Sequence, residues 1–67
     1  MGNKGKRLLK ESKMTPGERK TLLKHISCVE KLSLDKVTTV WRDKYKVLCV
    51  GYSDGCWFHY TETGEWY

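Results

Sequence analysis

No stretch of this chain stays apolar for long. The longest aliphatic or thiol run is Val47-Leu48-Cys49-Val50, far short of the roughly 20 residues that a membrane span needs. Leu8-Leu9 follows the basic residues Lys4, Lys6 and Arg7 but gives way at once to Lys10-Glu11-Ser12-Lys13. The apolar centre of a secretory signal is therefore missing. Lys6 stands where a myristoylation signal wants Ser or Thr. Three cysteines are an odd number without paired spacing, which argues against a disulfide framework. Together these absences predict a cytoplasmic protein with no membrane partner.

The chain also has no Gly-rich phosphate loop, no G-x-S-x-G and no H-E-x-x-H. No unit repeats along it and no segment is low in complexity. Its 67 residues suffice for one small domain, which buries only about 60% of its unfolded surface. That excludes a multi-domain enzyme, a TIM barrel and a full Rossmann unit. Charged residues at 31% and hydrophobic ones at 39% make a globular balance rather than a disordered one.

What is there divides into two halves. Residues 1–35 hold nine basic and four acidic side chains, which accounts for the whole net charge of +5. Residues 36–67 hold four of each sign. The aromatics run the other way: none precedes Trp41, and Trp41, Tyr45, Tyr52, Trp57, Phe58, Tyr60, Trp66 and Tyr67 all follow.

Residues 1–14 read as a flexible basic tail. Only Leu8, Leu9 and Met14 are there to bury, against about 1–2 kcal/mol of backbone entropy per ordered residue. Thr15-Pro16-Gly17-Glu18 is a helix start, with a capping Thr, a first-turn Pro and a Glu three residues after the cap. Leu22, Ile26, Val29 and Leu32 then recur at helical spacing. The pattern predicts an amphipathic helix over about 16–32, with Leu34 tucked beneath its exit.

The remainder reads as strands. Val37-Thr38-Thr39-Val40-Trp41 is β-branched and aromatic. A tight polar connection at Arg42-Asp43-Lys44 leads to a second strand over 45–52. Ser53-Asp54-Gly55 is the strongest turn in the chain, since Asp-Gly tolerates positive φ. A third strand follows over 56–61, Thr63-Gly64 turns again, and 65–67 forms a short fourth edge. The expected fold is α+β: residues 15–67 as one domain, its helix on a three- to four-stranded antiparallel meander.

Alternation puts aromatics on both sheet faces. Tyr45, Val47 and Cys49 share one face and Leu48, Val50 and Tyr52 the other; Cys56, Phe58 and Tyr60 oppose Trp57, His59 and Thr61. One helix covers one face only, so the other presents rings. Rings often serve simply as the core of a small domain. Exposed, they stack on unpaired bases, at about 1–3 kcal/mol per base, or anchor a protein interface.

The basic residues Lys4, Lys6, Arg7, Lys10 and Lys13, then Arg19, Lys20 and Lys24, form an arm running into a helix start. Their bland role is solubility; their functional role is phosphate contact. His25, Cys28, Cys56 and His59 have metal-like spacing, but Cys56 and His59 point to opposite faces of a regular strand, which disfavours a zinc tetrahedron. No metal or other cofactor is expected. Catalysis has little support: Cys28 sits away from the helix end that would activate a thiol. The spacing of Arg42, His59 and Tyr60 does not favour a ribonuclease site, which needs a base in reach of its proton. Asp54-Gly55-Cys56-Trp57-Phe58-His59-Tyr60 with Thr63-Gly64-Glu65-Trp66 resembles the aromatic hairpin of choline-binding cell-wall repeats. The likeness occurs once, without an export signal, and implies the hairpin alone.

The sequence therefore predicts a small basic non-enzymatic protein that binds RNA or DNA. Lys4 to Lys24 would hold phosphates, and rings among Tyr45, Tyr52, Trp57, Tyr60 and Trp66 would meet bases or line the groove. The alternative is a protein-binding inhibitor or adaptor, of the kind small mobile elements encode, docking through the aromatic face or its edge. A homodimer through the uncovered face fits either.

Overall fold

The computed structural model describes residues 13–67. Lys4, Lys6, Arg7 and Lys10 of the expected basic tail lie outside the described residues. Met14, assigned to that tail, is half-buried and packs against the core.

Helix α1 spans Pro16–Cys28. Its start is the capping box that the sequence predicts. The Thr15 hydroxyl accepts from the Glu18 N–H at 3.2 Å, and the Thr15 N–H donates to Glu18 Oε1 at 2.9 Å. Its end comes earlier than the expected Leu32, because Val29 leaves helical backbone with φ −126° and ψ 109°. The chain then turns through Glu30 and Lys31, and Leu32 is buried from that irregular segment. A continued helix would carry the chain away from the point where Val37 must enter the same core. A 3₁₀ turn at Leu34–Lys36 leads into the sheet.

Strands β1 (Val37–Arg42), β2 (Leu48–Tyr52) and β3 (Trp57–Tyr60) form an antiparallel sheet in that order. The C-terminus adds the expected short edge: Trp66 bridges Tyr60, and the backbones of His59 and Tyr67 exchange hydrogen bonds at 2.8 and 3.2 Å. Simple alternation fails in β1. Val37 pairs with Tyr52 but Thr39 with Gly51, so Thr38 is an extra residue in a β-bulge. The bulge lets Val37 and Val40 both reach the core while Thr39 and Trp41 face the other way.

Strand β2 starts three residues later than expected, because 45–47 lies outside the strand. The three sheet connections share one construction. Backbone pairs Asp43/Val47, Tyr52/Cys56 and Thr61/Glu65 close them with N–H···O bonds of 3.1, 2.8 and 2.9 Å. Each encloses three residues and ends on a positive φ: Lys46 (65°), Gly55 (92°) and Gly64 (98°).

The core lies between α1 and one sheet face, with Leu22, Leu32, Val37, Leu48, Val50, Tyr52 and Tyr60 buried. The helix does not rest on the expected aliphatic stripe alone. Its buried residues are Glu18, Thr21, Leu22 and His25, while Ile26 is half-buried. Each polar one has a partner, as burial requires. The Thr21 hydroxyl lies 2.7 Å from the Thr61 carbonyl, and His25 Nδ1 lies 2.8 Å from the Tyr60 hydroxyl. Gly17 permits this approach, since a Cβ there would stand 2.7 Å from the Glu62 carbonyl oxygen. Among the described residues, no helix is long and apolar enough to cross a membrane.

Candidate functional site on the open sheet face

Helix α1 covers the face formed by Val40, Leu48, Val50, Phe58 and Tyr60. The opposite face has no covering element among the described residues. Register assigns its side chains. Thr39 pairs Gly51, which pairs Trp57; Trp41 pairs Cys49, which pairs His59. Tyr67 follows beside His59.

The rings on this face touch in series. Trp41 and Trp57 have centroids 5.5 Å apart, Trp57 and His59 5.0 Å, and His59 and Tyr67 4.3 Å with planes only 9° from parallel. Trp57 is 52% exposed and Trp41 39%. Gly51 makes room for this row. A Cβ at 51 would run into Thr39 Oγ1 and meet the Trp41 ring at 3.4 Å. The row is therefore a continuous, partly exposed aromatic strip across three strands and the C-terminal edge.

His59 of the strip also belongs to a cluster of three donor groups. Asp43 Oδ2 is 3.5 Å from His59 Nε2, and Cys49 Sγ lies with them inside a 4.8 Å cluster. The loop fixes Asp43, whose Oδ1 accepts the Tyr45 and Val47 N–H groups at 2.8 and 3.0 Å. Cys49 is fully buried, and burial together with the Asp43 charge pushes its thiol pKa up. A protonated, covered thiol is a poor nucleophile.

The expected aromatic surface is thus partly corrected. Tyr45 is 74% exposed, with the Lys44 ammonium 5.1 Å from its ring centroid, and Trp57 is open. Tyr52 and Tyr60 are not surface residues. Their hydroxyls bond each other at 2.7 Å inside the core, and Tyr60 continues to His25. Burial raises both phenol pKa values. Trp66 also belongs to the helix side, stacked on His25 at 4.8 Å. Trp41, His59 and Tyr67 take their place on the open face. Alternation in the third strand already put His59 on the face of Trp57, and Trp41 and Tyr67 join them through register.

The basic and aromatic groups do not meet on one surface. Arg19, Lys20 and Lys24 are exposed on α1, across the sheet from the aromatic strip. Lys13 precedes the helix and is exposed. Arg42 is consumed by the buried carboxylate of Glu18. The His25/Cys28/Cys56/His59 grouping is not assembled either. His25 lies in the core, Cys28 is exposed on the helix, and His59 is on the far face. The Arg42/His59/Tyr60 grouping is likewise split between the two faces. No protein-family model, curated protein or solved structure matches this chain.

Proposed function

We propose that this protein binds unpaired nucleic acid, stacking bases on the open face of its sheet. The observation that carries the reading is the contiguous Trp41–Trp57–His59–Tyr67 strip, with its two indoles half open to solvent. Aromatic side chains on a sheet are a sequence-tolerant platform, since every base has a π-face. The net charge of +5 supplies attraction to phosphates, which no base contact replaces. Lys44 lies on the β1–β2 loop over the ring of Tyr45, a further exposed aromatic. Lys4, Lys6, Arg7, Lys10 and Lys13 supply further phosphate contacts. Arg19, Lys20 and Lys24 belong to a second, peripheral contact.

The test is tryptophan fluorescence with single-stranded RNA and DNA oligonucleotides at low and moderate salt. Binding should quench the indoles, weaken with salt and fail in the double variant Trp41→Ala/Trp57→Ala. Affinity unchanged in that variant would refute the platform. A protein partner is the second reading, favoured by the free edge of β1, which pairs β2 alone among the described strands. A chain that ignores every oligonucleotide yet retains one specific protein in a pull-down would decide for it.

A further inference from the structure

We propose that Asp43, Cys49 and His59 bind a divalent transition-metal ion, with Zn²⁺ the best match. The site shares His59 with the aromatic strip, and it holds whether or not the strip binds nucleic acid. It rests on how the three side chains are held.

Cys49 forms the floor, fully buried in the middle of β2. Asp43 and His59 form the rim, with about a fifth of each side chain open to solvent. The ligands come from three places: the β1–β2 loop, the central strand and β3. Cross-strand pairing sets His59 directly beside Cys49. The loop carries Asp43 over them.

Two outer contacts orient the donors. His59 Nδ1 lies 3.4 Å from the Tyr67 carbonyl oxygen. The carbonyl can only accept, so Nδ1 is the donor there, and Nε2 is the nitrogen turned to Asp43 Oδ2, 3.5 Å away. The other Asp43 oxygen is already occupied by two backbone N–H groups. A proton on Nε2 makes this contact an ion pair, and a metal ion in place of that proton would be held by both groups. A histidine whose second nitrogen bonds a backbone carbonyl is the usual outer arrangement of a metal ligand. Stacking on Tyr67 further fixes the ring plane.

The third donor decides the class of cation. A thiol sulfur within the same 4.8 Å cluster suits Zn²⁺ and similar borderline ions rather than Mg²⁺ or Ca²⁺. Ligands around tetrahedral zinc stand about 3.3–3.7 Å apart, so the sulfur closes in by up to about 1.5 Å on binding. Thiolate and carboxylate together carry two negative charges, which Zn²⁺ neutralises. Binding releases the Cys49 proton to solvent. Three protein ligands leave a fourth position for water. The bound ion ties the β1–β2 loop to β3 beneath the aromatic strip.

The experiment is a Co²⁺ titration of the reduced, chelator-treated full chain. Cys49 binding predicts a thiolate-to-cobalt charge-transfer band and tetrahedral d–d bands that saturate at one equivalent, and Zn²⁺ should displace them. Cys28→Ser and Cys56→Ser should leave the bands intact, while Cys49→Ser should abolish the charge-transfer band. Asp43→Asn and His59→Asn should each weaken Co²⁺ by at least about tenfold. Absence of the band in the wild-type chain, or a band that survives Cys49→Ser, overturns the proposal. Should Cys49→Ser fail to fold, unchanged Co²⁺ affinity in Asp43→Asn overturns it equally.

Discussion

Glu18 and Arg42 form a two-armed ion pair between the first turn of the helix and the end of β1, with both N–O distances 2.8 Å. The same Arg42 donates to the Lys46 carbonyl at 2.8 Å, and the same Glu18 closes the capping box. One pair thus joins helix start, strand end and loop. The Arg42 guanidinium holds the Glu18 carboxyl below its usual value, and burial opposes it less strongly. Glu18→Gln should cost about 1–3 kcal/mol in urea unfolding, the lower range applying because Arg42 is a third exposed. A lowered acid pKa contributes stability above the ordinary value of 4.5 and loses it as pH falls further. The wild-type and Glu18→Gln unfolding curves should therefore converge in acid; a constant gap down to about pH 2 would contradict the assignment.

His25 predicts a second pH effect in a different window. Burial alone lowers its pKa below the ordinary 6.5. The unfolded state therefore takes up the proton first. This contribution is full above 6.5 and lost as pH falls toward the lower folded value. The melting temperature should fall between about pH 7 and 5. His25→Phe should flatten that slope while lowering stability, because Tyr60 loses a hydroxyl partner. An NMR titration placing His25 at or above 6.5 would contradict the sign.

The hydroxyl chain beside it gives a third expectation. Tyr60 bridges His25 and Tyr52, at 2.8 and 2.7 Å. Tyr60→Phe leaves two buried groups short of a partner and should cost about 1–3 kcal/mol. Tyr52→Phe strands only one and should cost less. Equal losses by chemical denaturation would mean that the chain does not run through Tyr60.

Two glycine and lysine substitutions test backbone geometry. Gly17→Ala would ordinarily favour a helix by up to about 1 kcal/mol. Here the new methyl meets the Glu62 carbonyl, so calorimetry should show destabilisation. Lys46 holds φ at 65°, a region that costs a non-glycine residue roughly 1 kcal/mol. Lys46→Gly should raise the melting temperature, and a drop would show that the Lys46 side chain contributes more than its strained backbone costs.

The open face makes a prediction about binding. Trp57→Ala alone should weaken single-stranded oligonucleotides by about 1–3 kcal/mol. Tyr52→Phe should leave binding unchanged, because that ring is in the core. Gly51→Ala should shift Trp41 fluorescence and weaken binding without touching a ligand, since its methyl displaces Thr39 and crowds the Trp41 ring. Isothermal titration of the three variants separates these cases.

Local chemistry in the sequence determined the element types. Thr15, Pro16 and Glu18 announced the helix start, Gly55 and Gly64 announced two of the loops, and alternation in β2 and β3 divided the side chains between two faces without saying which one the helix covers. These signals act over a few residues and need no partner elsewhere. The remaining loop, expected at Arg42-Asp43-Lys44, closes over 44–46 instead, because Lys46 and not a glycine takes its positive φ. The helix end at Cys28 was equally hidden, since Val29 and Leu32 continue the apolar spacing while the core requires the chain to turn. Tertiary structure alone decided which rings are buried. Glu18, Thr21 and His25 entered the core because Arg42, Thr61 and Tyr60, 24 to 40 residues away in sequence, satisfy them there. Burial of a polar group is unfavourable until its partner is in place, so no local pattern could have placed it. Asp43, Cys49 and His59 follow the same logic: strand register and a three-residue loop bring together donors that composition leaves scattered.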